Sequence, residues 1–202
     1  MATTITADLV KQLRDKTGAG MMECKAALTE ANGNMDDAVT LLRKRGLAQA
    51  AKRAGRTTAQ GVITSYIHMG GKIGVLVEVN CESDFVARTD DFQNLVKEVG
   101  MHIAAADPKW VRREEVPAEA VEKEKGIYRA QMENTGKPAN VLDKIIEGKL
   151  GSFYSQFVLL DQPSVRDPNV TIAQLVAQTS AKTGENITVT RFVRFRVGEG
   201  NE

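Results

Sequence analysis

The chain has 202 residues, of which 42% are hydrophobic and 26% are charged, and this composition is typical of a globular protein. Its 27 basic and 26 acidic residues leave a net charge of +1, which excludes a chain-wide field that would draw it onto DNA or anionic lipid. Apolar runs are far shorter than the roughly 20 residues of a membrane span. Cys24 and Cys81 lack disulfide-framework spacing and no signal peptide is expected, so we expect a soluble protein of the reducing cytoplasm.

Three short helices are predicted within residues 6–45, where apolar residues recur at helical spacing. Their ends are marked by residues that tolerate the left-handed conformation of a helix terminus: Gly18, Asn32, Gly33 and Gly46. This pattern predicts a compact three-helix module over residues 1–46. The alanine-rich stretch that follows, residues 47–58, is predicted to be a linker helix.

The periodicity changes to alternation after the linker and predicts a sheet-and-helix core over residues 59–202. Two strands, residues 62–68 and 73–80, flank a glycine turn and predict a hairpin. The alternating residues 187–197 predict a third strand, which gives an α+β fold with a three-stranded antiparallel sheet. Four helices are predicted to pack with it: one that starts with Asp90 as its cap and stops near Asp107, and others over residues 117–134, 138–154 and 171–182.

No pattern of an enzyme active site is evident. A phosphate-binding loop would need a glycine-rich segment that ends in Lys followed by Ser or Thr, and the sequence has none. The cysteines and histidines lack the short spacing of metal ligands, so no metal or cofactor is predicted. Cys81 as a nucleophile, with His68 or His102 as base, is one alternative. The other is an inert thiol, favoured because Cys81 continues the alternation of a buried strand.

A basic cluster between the module and the core is the strongest nucleic-acid signal. It consists of Arg43, Lys44, Arg45, Lys52, Arg53 and Arg56. These side chains could bind phosphates, but no aromatic residue is interleaved to stack on bases. A solvated helix face is the favoured interpretation, and no direct contact with nucleic acid is predicted.

Phe85 is unusual because it lies in a polar connection, residues 82–89, between the second strand and the next helix. One interpretation is that the ring completes the core. The other is that it is an anchor offered to a pocket in a partner protein.

Three stretches resemble signature sequences of bacterial elongation factor Ts: residues 17–25, 78–88 and 192–200. The resemblance extends from about Ile5 to Gly200, and the predicted order of elements agrees with that family. It implies a guanine nucleotide exchange factor for elongation factor Tu, the GTPase that carries aminoacyl-tRNA, and not an enzyme. The small helical module, similar to ubiquitin-associated domains, would dock on the GTPase.

The resemblance also implies roles for individual residues. Ser83, Asp84, Phe85 and Val86 would wedge between two helices of the GTPase and disturb its magnesium site, with Phe85 in an apolar pocket. The docking face of the helical module would include Arg14, Met21, Met22 and Lys25. His102 matches a position that faces the partner in the family, although a core histidine is an equal alternative.

Two features depart from the family pattern. The family usually has Thr where this chain has Ser83, and we expect little effect because the hydroxyl is kept. Longer members have two core subdomains, whereas this chain resembles the short form with one. That form suggests a homodimer in which a second core substitutes for the missing one.

Overall fold

A computed structural model describes residues 4–132 and 138–199 of the chain. This part of the chain has the predicted α+β fold, with eight α-helices and one three-stranded sheet. The helices are α1 Ala7–Thr17, α2 Met21–Glu30, α3 Met35–Arg53, α4 Asp84–Ala87, α5 Asp90–Ala106, α6 Ala118–Met132, α7 Ala139–Phe157 and α8 Ile172–Thr183. The strands are β1 Gln60–Ile67, β2 Ile73–Cys81 and β3 Ile187–Arg196.

The chain divides into two compact units, each made of separate chain segments. The first contains the residues up to Ile63, Glu78–Val96 and Gln174–Val189. The second contains Thr64–Val77, Lys97–Ala173 and the residues from Thr190 onward. The helical module and the end of β2 therefore belong to the same unit.

The two ends of α1 and the start of α3 have the capping contacts that are typical of helix termini. The Thr6 hydroxyl accepts a hydrogen bond from the Leu9 N–H at 3.3 Å, and Gly18 closes α1 with a φ of 69°. Asn34 caps α3 by accepting from the N–H groups of Asp36 and Asp37. The three helices share a buried core of Val10, Leu13, Cys24, Ala27, Leu28, Ala38 and Leu42.

The third helix does not end at Gly46, contrary to the prediction. Helix α3 is continuous to Arg53, so much of the predicted linker helix is its C-terminal part. Gly46 has a different role: a Cβ at this position would lie 3.2 Å from the Cβ of Ala181 on α8. The glycine therefore permits close approach of two helices, and the alanine-rich sequence after it sustains the helix.

The sheet has the order β1-β2-β3, and β1 and β2 form the predicted hairpin. Gly70 and Gly71, at φ values of 87° and 68°, make the turn, where the N–H of His68 donates to the carbonyl of Ile73 at 2.9 Å. Helix α5 packs on the inner face of the sheet. A Cβ added to Gly100 would lie 3.3 Å from the Cβ of Tyr66, so the glycine allows this contact.

Strand β3 does not present one continuous buried face. Ile187 and Val189 are buried, but Val193 and Phe195 are 39% and 66% exposed. Near the end of the strand the inward side chain is that of Arg194, which is 8% exposed and donates from Nε to the carbonyl of Ala104 on α5 at 3.3 Å.

The start of α5 differs from prediction in detail. Thr89, and not Asp90, caps α5, since its hydroxyl accepts from the Phe92 N–H at 3.4 Å. Gln93 donates to the carbonyl of Ala87 at 2.7 Å instead of completing a capping box. The predicted end of the next helix, residue 134, lies outside the described residues.

Candidate functional site

Residues 83–86 form a turn, called here the 83–86 turn, that directly follows β2. Cys81, the last residue of β2, is fully buried, so the strand enters the turn from the interior. The sequence predicts a polar connection here, and within it the structure has a single helical turn, α4. Ser83 caps it, since its hydroxyl accepts a hydrogen bond from the Val86 N–H at 3.3 Å.

The side chains of the turn divide between the interior and the surface. Val86 and Ala87 are 4% and 5% exposed, whereas Phe85 is 76% exposed. Successive side chains of a helix are about 100° apart around its axis. Because Val86 points into the interior, the preceding side chain, Phe85, points outward. The alternative in which Phe85 completes the core is therefore wrong. The ring of Phe85 is therefore accessible to another protein.

Asp84 lies beside Phe85 and is also exposed. Its carboxylate forms an ion pair with Arg88 at 2.9 Å, in which the two side chains are 67% and 80% exposed. Exposed helical pairs of this spacing contribute only about 0.3 to 0.5 kcal/mol. The carboxylate can therefore exchange Arg88 for a donor on a partner at little cost.

Glu185, just after α8, holds the backbone of the turn. Its Oε2 accepts hydrogen bonds from the N–H groups of Glu82 and Ser83 at 3.1 Å and 3.0 Å. Its Oε1 accepts from the Ser83 hydroxyl at 2.6 Å. Sequence analysis missed this residue, because its partners lie 102 and 103 positions away and no local pattern connects them.

The carboxylate of Glu82 in turn accepts a hydrogen bond from the segment that contains Glu185. Glu82 Oε1 accepts from the N–H of Asn186 at 2.6 Å. The Asn186 side-chain amide donates to the carbonyl of Arg56 at 2.9 Å and to that of Ala54 at 3.4 Å. Residues 82–83 and 185–186 are thus joined by hydrogen bonds in both directions. We call these four residues the reciprocal clamp.

The Cys81 thiol has the environment of a structural residue. It is fully buried and donates to the carbonyl of Ser83 at 3.1 Å. Burial raises the pKa of the thiol, and the nearby Glu185 carboxylate raises it further. Because the thiolate is the reactive form, these effects favour the inert thiol over the nucleophile.

His102 is fully buried in the second unit. Its Nδ1 accepts from the Val165 N–H at 3.3 Å, so the proton lies on Nε2, which donates to Gln162 Oε1 at 2.8 Å. Burial lowers the pKa of the ring, while the bond to Gln162 and the charge of Glu98 act in the opposite direction. The residue fits the core-histidine alternative, and its ring is not accessible to a partner in this conformation.

The four residues assigned to the docking face of the module are all exposed. Arg14 lies in the last turn of α1, and Met21 and Met22 lie in the first turn of α2, with exposures of 49% and 74% for the two methionines. Lys25 follows Met21 by four residues and Met22 by three, so the three side chains share one side of α2. Exposed methionines adapt well to irregular partner surfaces.

The basic cluster is largely engaged in contacts within the protein. Arg45 pairs with Glu30 and Arg56 pairs with Glu82. Arg43 donates to Gln174, and Arg53 donates to the carbonyl of Ser180 at 3.2 Å. These arginines therefore have protein partners, which weakens the nucleic-acid alternative.

Within the described part of the chain, no group of three or more His, Cys, Asp or Glu side chains is arranged to hold a metal ion. The helices there include none with the length and apolar character needed to cross a bilayer.

The N-terminal helices and the α+β fold with its three-stranded sheet agree with the class of translation elongation factors that the motifs resemble. The family model described as Elongation factor TS matches residues 3–199. The chain therefore belongs to the elongation factor Ts family.

Curated relatives agree over nearly the whole length. Elongation factor Ts of Fervidobacterium nodosum is 60% identical over 195 residues, which cover 96% of this chain and 99% of the relative. Elongation factor Ts of Carboxydothermus hydrogenoformans is 56% identical, with coverages of 97% and 90%. Elongation factor Ts of Caldanaerobacter subterraneus subsp. tengcongensis is 58% identical, with coverages of 98% and 99%.

Proposed function

We propose that the chain is a guanine nucleotide exchange factor that binds elongation factor Tu in the cytoplasm. It promotes release of GDP by disturbing the magnesium site of that GTPase, after which GTP binds, and it forms no covalent intermediate. The observation that carries the proposal is the 76% exposure of Phe85 on a turn whose neighbouring residues are buried.

Exchange requires negative coupling between the factor and the nucleotide. The factor binds the nucleotide-free GTPase more tightly than the GDP-bound form. By linkage, bound factor lowers the affinity of the GTPase for GDP by the same ratio. A ten-thousand-fold ratio corresponds to about 5.5 kcal/mol of differential binding. Magnesium is an effective target because its loss leaves the phosphate charge uncompensated.

The 83–86 turn supplies part of this energy. Full burial of the Phe85 ring in a partner pocket contributes about 1.5 to 3 kcal/mol. Asp84 makes a polar contact beside it, while Ser83 and Val86 hold the turn in place. Since one ring is insufficient, the face with Arg14, Met21, Met22 and Lys25 must contribute affinity that is realised fully in the open GTPase.

The test is the release of fluorescently labelled GDP from elongation factor Tu, followed by stopped flow. We expect Phe85→Ala to lower the maximal release rate by about ten- to a hundredfold, which corresponds to the burial energy of the ring. Ile127→Ala, which truncates an exposed apolar residue on α6, is the matched control and should keep the parental rate. An unchanged rate in Phe85→Ala would remove the wedge from the mechanism.

We also propose that the protein forms a homodimer through the outer face of its sheet. Large apolar side chains are exposed there, including Ile67, Leu76, Val193 and Phe195. Ile67 lies over Gly74, since a Cβ on that glycine would be 3.1 Å from Ile67 Cδ1, and Leu76 follows Gly74 on the same face. The bond from the Val197 N–H to the Lys72 carbonyl sets a register that places Phe195 opposite Gly74. A continuous apolar face of this kind favours a second, identical sheet as its cover.

A further inference from the structure

The 83–86 turn has no intrinsic stability that would hold Phe85 in one direction. Helix α4 has four residues, far fewer than an isolated helix needs in water. The ring makes little contact with its own chain, because it is 76% exposed. Its direction is therefore determined by the backbone of the turn, and whatever orders that backbone orders the ring.

The reciprocal clamp supplies that order. Glu185 accepts three hydrogen bonds from residues 82–83, all at 3.1 Å or less. Bonds to an ionised acceptor are stronger than those between neutral groups. The Ser83 hydroxyl that donates to Glu185 is also the group that caps α4, so the carboxylate fixes the rotamer of the cap.

Glu185 is itself held at both sides. Its carbonyl accepts from the Ser180 hydroxyl at 2.6 Å, and the carbonyl of Ser180 accepts from Arg53 at 3.2 Å. On its other side, Asn186 is bonded to Glu82 and to the carbonyl of Arg56. The carboxylate therefore projects from a backbone that α8 and the segment after α3 constrain.

We propose that Glu185 is a positioning residue for nucleotide exchange. It holds the 83–86 turn in the conformation in which Phe85 projects outward, so that little conformational entropy is lost when the ring enters the partner pocket. Glu185 itself need not touch the GTPase. This inference rests on the exchange function proposed above, and two measurements separate the two claims.

The first measurement is amide hydrogen exchange of residues 82–86 in the free protein, which needs no GTPase. We expect Glu185→Ala to accelerate exchange at the Glu82 and Ser83 amides by about tenfold or more, the equivalent of one charge-assisted hydrogen bond. Glu185→Gln keeps a carbonyl acceptor and should retain most of the protection. Glu147→Ala, which removes an exposed carboxylate on α7, should change nothing at these amides.

The second measurement is the rate of GDP release from elongation factor Tu over a range of factor concentrations. We expect Glu185→Ala to lower the maximal rate at saturating factor by about tenfold, and Glu185→Gln to remain within about threefold of the parent. A loss of folded protein would instead raise the concentration needed for half-maximal rate and leave the maximum unchanged.

The outcomes are distinct. Unchanged amide exchange in Glu185→Ala would overturn the positioning role. The role would also be overturned if Glu185→Ala released GDP at the same maximal rate as the parent while Phe85→Ala was slow. If the parent protein itself fails to accelerate GDP release, the exchange function fails, and hydrogen exchange still decides whether Glu185 orders the turn.

Discussion

His102 and Phe85 are both residues to which the family resemblance assigns a partner contact, but their environments differ completely. Phe85 is exposed and free to enter another protein, whereas His102 is enclosed and both of its ring nitrogens are hydrogen-bonded. The Val165 N–H requires an unprotonated Nδ1. Protonation of Nδ1 would place its N–H against the Val165 N–H, and two hydrogen-bond donors that face each other in a buried site are unfavourable.

This environment predicts a pH dependence of stability. Because the pKa of His102 is lowered from 6.5 in the folded chain, the unfolded chain binds more protons as the pH falls below that value. The stabilisation is present above about pH 6.5 and is lost as the pH falls through the folded pKa. Urea denaturation between about pH 7.5 and about pH 5.5 should therefore give a free energy of unfolding that decreases with acidity.

The control for this prediction is His102→Gln, which cannot titrate. The substitution should destabilise the protein by about 1 to 3 kcal/mol at neutral pH, because buried hydrogen bonds are lost. Its stability should vary less with pH than that of the parent. Equal pH dependence in the two proteins would show that His102 does not titrate as proposed.

Helices α3 and α8 are linked by one close approach and by side-chain bonds. Gly46 lies against Ala181, and Arg43 and Arg53 donate to groups on α8. Lys182 lies beside Gly18 and pairs with Asp91 at 3.4 Å. Within the first unit, α8 therefore contacts the helical module, and the residues just beyond its end hold the 83–86 turn.

The close approach at Gly46 predicts that two helical glycines respond differently to substitution by alanine. Gly126 on α6 has no atom within 4 Å of an added Cβ, so Gly126→Ala should stabilise the protein by about 0.5 to 1 kcal/mol through helix propensity. Gly46→Ala should give no such gain, since its Cβ would lie 3.2 Å from that of Ala181.

Gly46→Val should destabilise by about 1 to 3 kcal/mol, as overpacking does. Thermal unfolding followed by circular dichroism would measure all three variants. Stabilisation of Gly46→Ala by as much as Gly126→Ala would contradict the close packing of α3 on α8.

The outer face of the sheet determines how the protein is expected to assemble. Ile67, Leu76, Val193 and Phe195 are exposed on neighbouring strands, and exposed apolar patches of this kind are uncommon in monomers. Pairing two such faces across a two-fold axis would bury both copies of the patch.

Light scattering after gel filtration tests this assembly. We expect the parent to have about twice the 22.0 kDa mass of one chain. Phe195→Asp should shift it to the mass of one chain, because a buried unpaired carboxylate is costly. Val165→Asp changes an exposed valine outside the sheet and should remain dimeric. A parent with the mass of a single chain would contradict the proposed dimer.

Much of the fold could be predicted because it depends on local chemistry. Helical periodicity, Gly18 at the end of α1, and the glycine turn between β1 and β2 each act within a few residues. Predictions failed where a distant contact prevailed. Gly46 is predicted to end a helix but lies inside α3 at a close approach to α8, and the apolar alternation of β3 does not form one buried face.

The candidate site divides in the same way. Phe85 was identifiable from the sequence because a phenyl ring in a polar connection is unusual, and the family motif surrounds it. The linear pattern left open whether the ring is buried, since one apolar residue has no period, and burial depends on which elements pack around it. Glu185 and Asn186 had no local signal at all, because the bonds that they form join segments more than a hundred residues apart. Such pairings arise when the chain folds and distant backbone groups must find hydrogen-bond partners.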